Sequence, residues 1–168
     1  WLNVNRIKHI EPNTFIDLAN LRELNLNVNS LSALGSSTLT GLSQLERLFL
    51  FFNNLSVIEP YTFANTTSNL AILNLEKNRL AVLNETALRG LFKLSKLFLS
   101  INQLTALDVT LFDDLGNLTE LWLARNKLAY LEPDTFYYLV KLEKLTLSGN
   151  ELEELHPSTF SDHLVSLA

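Results

Sequence analysis

An asparagine recurs seven times, at Asn5, Asn29, Asn53, Asn78, Asn102, Asn126 and Asn150, and each copy sits in the same frame of leucines. Successive intervals are 24, 24, 25, 24, 24 and 24 residues, so the chain is built by repetition at a near-fixed period. A period of that length describes a solenoid, in which no unit has a core of its own and stacking creates one.

One unit reads L-x-x-L-x-L-x-x-N-x-L-x-x-L and then runs to F-x-x-L. Leu94, Leu97, Leu99, Asn102, Leu104, Leu107, Phe112 and Leu115 show it complete. The Leu97-x-Leu99 alternation has period two, which predicts a short strand with its leucines on one face and Phe98 and Ser100 on the other. Identical strands one repeat apart must run parallel, and the rest of each unit supplies the return crossover. That half carries a second apolar column, Phe15, Leu39, Phe63, Leu88, Phe112, Phe136 and Phe160. An asparagine inside such a frame needs partners, because a buried polar group left unpaired costs about 1–3 kcal/mol. Stacking can supply them from the backbone of neighbouring turns, so the seven asparagines are expected to form a structural ladder.

All four prolines fall in one slot, three residues before the apolar column, at Glu11-Pro12, Glu59-Pro60, Glu132-Pro133 and His156-Pro157. Proline lacks the N–H donor and fixes φ, which suits a turn leaving the strand. Two units carry one extra residue, between Phe63 and Leu70 and between Phe160 and Leu167, where outer loops tolerate insertion.

The frame resembles the typical leucine-rich repeat of animal extracellular proteins, shared by Toll-type receptors, Slit-like guidance proteins, small proteoglycans, chaoptin-like adhesion molecules and insect immune repeat proteins. The plant-type L-S-G-x-I-P stretch is missing, and the longer cysteine-bearing repeats of ribonuclease inhibitor do not fit the spacing. The resemblance spans the whole chain and implies an α/β solenoid. Its expected form is a right-handed curved superhelix with a parallel β-sheet on the concave face and irregular or short helical convex segments.

Residues 1–168 are expected to form one leucine-rich-repeat domain of about seven repeats. The chain starts partway along a strand at Trp1 and ends on an unfinished unit at Leu167-Ala168, so it is expected to be a fragment lacking both caps. The absence of cysteine then says little about redox compartment, since disulfides in the family resembled lie mainly in the caps. There is no signal sequence, and the longest apolar run, Leu48 to Phe52, is far short of the roughly 20 residues a membrane span needs. Sequons occur at Asn54, Asn65, Asn84 and Asn117. About three would arise by chance at this content of asparagine, serine and threonine, so glycosylation and an extracellular or cell-surface location rest mostly on the resemblance.

Specificity must lie on the outward strand positions, where packing does not dictate residue type. The central outward column is Trp1, Asn25, Phe49, Asn74, Phe98, Trp122, Thr146, and the adjoining columns add Phe51, Phe52, Ile72 and Ile101. Phe49, Phe51, Phe52, Ile72, Phe98, Ile101 and Trp122 fall on four consecutive strands about 4.8 Å apart, rimmed by Lys77, Lys96, Glu120 and Arg125. An aromatic centre with a charged rim fits a protein partner. The competing explanation is that the aromatics only brace neighbouring strands, at about 0.2–1 kcal/mol per pair.

Catalytic patterns are missing. His9, His156 and His163 fall on separate loops, Asp113-Asp114 reads as a solvated pair, and no nucleophile elbow or phosphate loop occurs among five glycines. No cofactor or metal is expected. A net charge of −5 argues against nucleic acid, which requires a basic stripe. The reading is a non-catalytic protein-binding module of a secreted protein or receptor ectodomain that engages a protein ligand or co-receptor on the sheet, with innate-immune recognition the leading context. The alternative is adhesion, guidance or matrix architecture through repeat-mediated association, including a homodimer.

Overall fold

Six of the L-x-L segments are three-residue strands in the computed structural model, which describes residues 1–64 and 68–160. They are β1 (Glu23–Asn25), β3 (Arg47–Phe49), β5 (Ile72–Asn74), β6 (Lys96–Phe98), β7 (Glu120–Trp122) and β8 (Lys144–Thr146), paired in that order as one parallel sheet. The central leucine of each pairs with its counterpart, as Leu73 with Leu97 and Leu97 with Leu121, so the register repeats without slip. A second parallel pair, β2 (Ala33–Leu34) with β4 (Val57–Ile58), forms where the chain leaves the ladder. At Trp1 no strand is formed, although Leu2 N–H still donates to the Asn25 carbonyl at 2.8 Å.

The core is the inner leucine set, continuous from Leu24 to Leu142, with Phe63, Phe112 and Phe136 fully enclosed in the second column. Phe112 and Phe136 stack at 6.1 Å, and so do Phe136 and Phe160. Phe160 is the exception in that column, 38% exposed at the edge of the described residues. Helix is nearly absent: among the described residues there is only the 3-10 turn Pro157–Thr159. Crossover segments are instead built from turns. In Glu11-Pro12-Asn13-Thr14, Glu59-Pro60-Tyr61-Thr62 and Glu132-Pro133-Asp134-Thr135 the residue after proline has φ near +60° and the threonine N–H returns to the glutamate carbonyl, the pattern of a type II turn. Glycine is required at Gly41 and Gly90, where φ is +96° and +86° and a Cβ would lie 2.5–2.6 Å from the backbone of Ile16 or Ala64 in the preceding coil.

Every ladder asparagine from Asn29 to Asn150 uses its amide in the same way. Asn102 Nδ2 donates to the Leu99 carbonyl of its own turn and to the Leu75 carbonyl of the preceding one, both at 3.0 Å. Its Oδ1 accepts from Leu80 N–H at 3.0 Å. Asn53, Asn78, Asn102 and Asn126 are buried, whereas Asn5 is exposed and its side-chain amide donates only to the Leu2 and Asn3 carbonyls of its own turn. The geometry is produced by the residue before each asparagine. Val4, Val28, Phe52, Lys77, Ile101, Arg125 and Gly149 all have positive φ, which ends the strand and turns the next side chain inward. Six of these seven are not glycine, so the bend is held against local steric preference.

Two substitutions separate these effects. Asn102→Ala leaves Leu80 N–H unpaired, while the Leu75 and Leu99 carbonyls keep their bonds from Asn78 and Asn126, and it lowers unfolding free energy by about 2 kcal/mol, whereas Asn5→Ala changes it by less than about 0.5 kcal/mol. Urea denaturation followed by circular dichroism measures both. Val28→Asn replaces a β-branched residue at φ 54° with one that tolerates that region and raises stability by about 1 kcal/mol in the same assay.

Candidate functional site

Register carries the central outward column across the sheet as Asn25, Phe49, Asn74, Phe98, Trp122 and Thr146. All six are half-buried, because each flanks the next along the sheet. Phe98 and Trp122 stack with ring centroids 5.7 Å apart. Phe51 and Phe52 lie 6.0 Å apart, with the Lys77 ammonium 5.0 Å from the first ring centre and 5.9 Å from the second. Between Phe49 and Phe98 stands Asn74, whose Oδ1 accepts from Glu76 N–H at 2.9 Å. The seven residues Phe49, Phe51, Phe52, Ile72, Phe98, Ile101 and Trp122 are therefore on one side of the molecule but in two aromatic groups divided by an amide. Phe52 is 53% exposed and the most accessible large residue of the set.

Charges on this face are largely neutralised within the chain. Arg47 pairs with Glu23 at 2.6 Å, and Lys96 with Glu120 at 2.6 Å. Glu120 also accepts the Trp122 indole N–H at 3.1 Å, while the Lys144 ammonium lies 4.0 Å from the Trp122 ring centre. Lys96, Glu120, Trp122 and Lys144 thus form a connected unit that fixes the indole. The Lys96 hydrogen bond is the largest influence on the Glu120 carboxyl and holds it below its ordinary value. Burial opposes that shift, and the indole bond and both lysine charges reinforce it.

Ser100 departs from expectation. Its position is outward in the strand alternation, yet it is buried and its Oγ has no partner, because flanking side chains close over a small residue. Asp113 and Asp114 are also not merely solvated. Arg89 of the preceding coil pairs with both, at 2.9 and 3.4 Å, and Asp114 accepts Gly90 N–H at 2.8 Å, a link one repeat away that adjacent acids in sequence do not reveal.

Three sequon asparagines, Asn54, Asn84 and Asn117, are exposed, and Asn65 lies outside the described residues, as do residues 66–67 of the insertion after Phe63, the insertion after Phe160, and His163. They differ in availability. Asn117 Nδ2 donates to the Phe92 carbonyl at 2.7 Å and its Oδ1 accepts from Lys141, whereas Asn84 offers only its Oδ1, to Thr86 N–H and Oγ. Asp108 repeats the Asn84 arrangement with Thr110, whose hydroxyl and N–H hold its carboxyl below the usual range. A concavity of about 750 Å³ is lined by Asn84, Asp108 and Tyr130, away from the sheet. Exposed Phe92, Tyr137 and Tyr138 on the crossover side are likewise missed by a frame-based reading, although aromatics just outside the F-x-x-L positions are the signal that marks them.

Among the described residues, no group of three or more His, Cys, Asp and Glu could hold a metal ion, and no helix is long and apolar enough to cross a membrane. The Leucine rich repeat family model matches residues 2–55, 46–104 and 92–152. Among solved structures, a chain of the TLR13–ssRNA13 complex aligns over 96% of this chain with TM-score 0.90 and 33% identity. A chain of the Drosophila Toll–Spatzle complex aligns over 82% with TM-score 0.75 and 29% identity. This chain spans only 22% and 18% of those two chains. No match is found among curated proteins.

The Glu120 assignment has a direct optical test. A depressed carboxyl stabilises the fold above its ordinary value of 4.5, and that contribution is lost as pH falls through the lower folded-state value. With Trp1 replaced by Phe, Trp122 fluorescence is expected to titrate with a midpoint below 4.5, and Lys96→Met is expected to move that midpoint upward.

Proposed function

The chain belongs to the leucine-rich repeat family, with repeats of the Toll type, and on that premise we propose that it is a non-catalytic protein-binding module of a secreted protein or receptor ectodomain. The ligand or co-receptor docks on the sheet face, over Phe98 and Trp122 and over Phe49, Phe51 and Phe52. One observation carries the reading: aromatic residues occupy outward positions whose identity the fold does not require, and a network of Lys96, Glu120 and Lys144 holds one of them in place. Fixed aromatic anchors lose little entropy on binding and dominate protein interfaces.

A protein ligand suits this face better than a nucleic acid. On the strands Arg47 and Lys96 are paired with carboxylates and Lys144 is held over the Trp122 ring, whereas counterion displacement needs a stripe of cations free to meet phosphates across the face. The related chains come from complexes of TLR13 with ssRNA13 and of Toll with Spatzle, the latter described as a hub in Drosophila development and innate immunity. Innate-immune recognition is accordingly the context proposed here, with an extracellular location and glycosylation at Asn54 and Asn84 ahead of Asn117.

The test replaces Phe49, Phe98 and Trp122 by alanine together and screens the wild-type and variant proteins against an array of purified ectodomains and secreted ligands. A ligand held by wild type is expected to bind the variant at least about a hundredfold more weakly, as loss of several anchors implies, with the thermal melt still cooperative. Equal binding by both proteins would remove the sheet face as the site. Sedimentation of the same pair checks the other use of the face: self-association of wild type abolished in the variant would assign it to repeat-mediated adhesion.

A further inference from the structure

Four cations gather on one edge of the sheet despite the acidic balance of the chain. Lys77 and Arg125 occupy the positive-φ position before ladder residues Asn78 and Asn126, and Arg79 and Lys127 follow those same asparagines. The shared backbone conformation directs Lys77, Ile101 and Arg125 outward alike, with φ of 52°, 56° and 56°. At about 4.8 Å per repeat, Lys77 and Arg125 are roughly 10 Å apart at the backbone. All four are exposed, and none belongs to any ion pair among the described residues, in contrast to Arg22, Arg47, Arg89 and Lys96. The neighbouring acid, Glu76, lies in the sheet-face column and pairs with none of them. Gly149 leaves room for the Arg125 stem, since a Cβ there would come within 3.2 Å of Arg125 Cγ.

The strip is not purely polar. Phe52, Lys77, Arg79 and Ile101 line a concavity of about 470 Å³, with Asn54 on its wall. Its apolar residues need an apolar occupant and its rim needs an anion. We infer that this edge is a docking strip for an extended acidic segment of a protein partner, with carboxylates on Lys77, Arg79, Arg125 and Lys127 and an apolar side chain seated between Phe52 and Ile101. In a polyproline II segment carboxylates three residues apart lie on one side of the chain and roughly 9 Å apart, which matches the spacing of the cations. A sulfated glycan meets the charges but has no apolar side chain for the hollow, and a single-stranded nucleic acid, whose bases stack on an aromatic such as Phe52, is the competing occupant, tested with oligouridylate. The inference rests on the chain being a protein-binding module and adds the charge and conformation of what it binds.

Fluorescence anisotropy with a labelled peptide Glu-Leu-Phe-Glu-Leu-Phe-Glu tests this on the whole chain carrying Asn54→Gln, so that no glycan covers the hollow. Wild-type strip residues are expected to bind the peptide, and to bind its glutamine-for-glutamate counterpart about tenfold or more weakly. Lys77→Glu/Arg125→Glu is expected to lose a similar factor, with affinity falling as salt is raised. Lys77→Gln/Arg125→Gln serves if the reversal disturbs the melt. Phe92→Ala, on the crossover side, is expected to leave peptide affinity unchanged, which separates the strip from exposed aromatics elsewhere on the molecule. Equal binding by wild type and the charge variants overturns the inference, and so does tighter binding of a heparin fragment or oligouridylate than of the peptide at these residues.

Discussion

A buried side-chain amide that bonds two successive coils at once is the contact on which everything else here depends. Asn102 ties Leu99 of its own turn to Leu75 and Leu80 of the one before, and the same triangle is drawn by Asn53, Asn78 and Asn126. Because carboxamide donors and acceptor are all consumed, the bend after each strand is fixed in angle and in distance from its neighbour. The cost is a left-handed residue before each asparagine, taken even by Val28 and Ile101. Cooperation between coils compensates for local strain, as expected where stability comes from interfaces between units.

A fixed pitch has a consequence for the surface. Side chains at equivalent positions come into line every repeat, so a row of aromatics or of alternating charges becomes a continuous structure without further design. Glu23 with Arg47, and Lys96 with Glu120, are pairs between neighbouring rungs. Phe98 and Trp122 stack by the same rule, as do Arg89 with Asp113 and Lys141 with Asn117 on the crossover side. Where a rung carries an unlike residue the row breaks, and Asn74 breaks the aromatic one. Sheet-face charge is thereby muted while Lys77, Arg79, Arg125 and Lys127 on the edge strip meet no carboxylate, so the two surfaces offer a partner different chemistry.

The repeat was legible to a high degree because period and identity coincide: an asparagine every 24 or 25 residues within a leucine frame admits few folds. The inner leucines, the parallel strands and the outward placement of Phe49, Phe98 and Trp122 follow from period two alone. Less legible were contacts between neighbours in the stack. Asp113-Asp114 looks like any solvated pair until Arg89 is brought beside it, and Ser100 looks exposed until its neighbours close over it. Availability of the sequons is likewise a contact property, since Asn84 and Asn117 obey the same motif but only Asn117 has its amide nitrogen engaged.

By itself the sequence determined the coil, its register and which side chains face out, since spacing along one strand settles all three. Tertiary structure decided which of those side chains remain free: whether a lysine meets a glutamate or open solvent, and whether an aromatic row is continuous or cut. That follows from the physics of a stack, where each residue's nearest partners lie about one repeat away in sequence and only about 5 Å away in space.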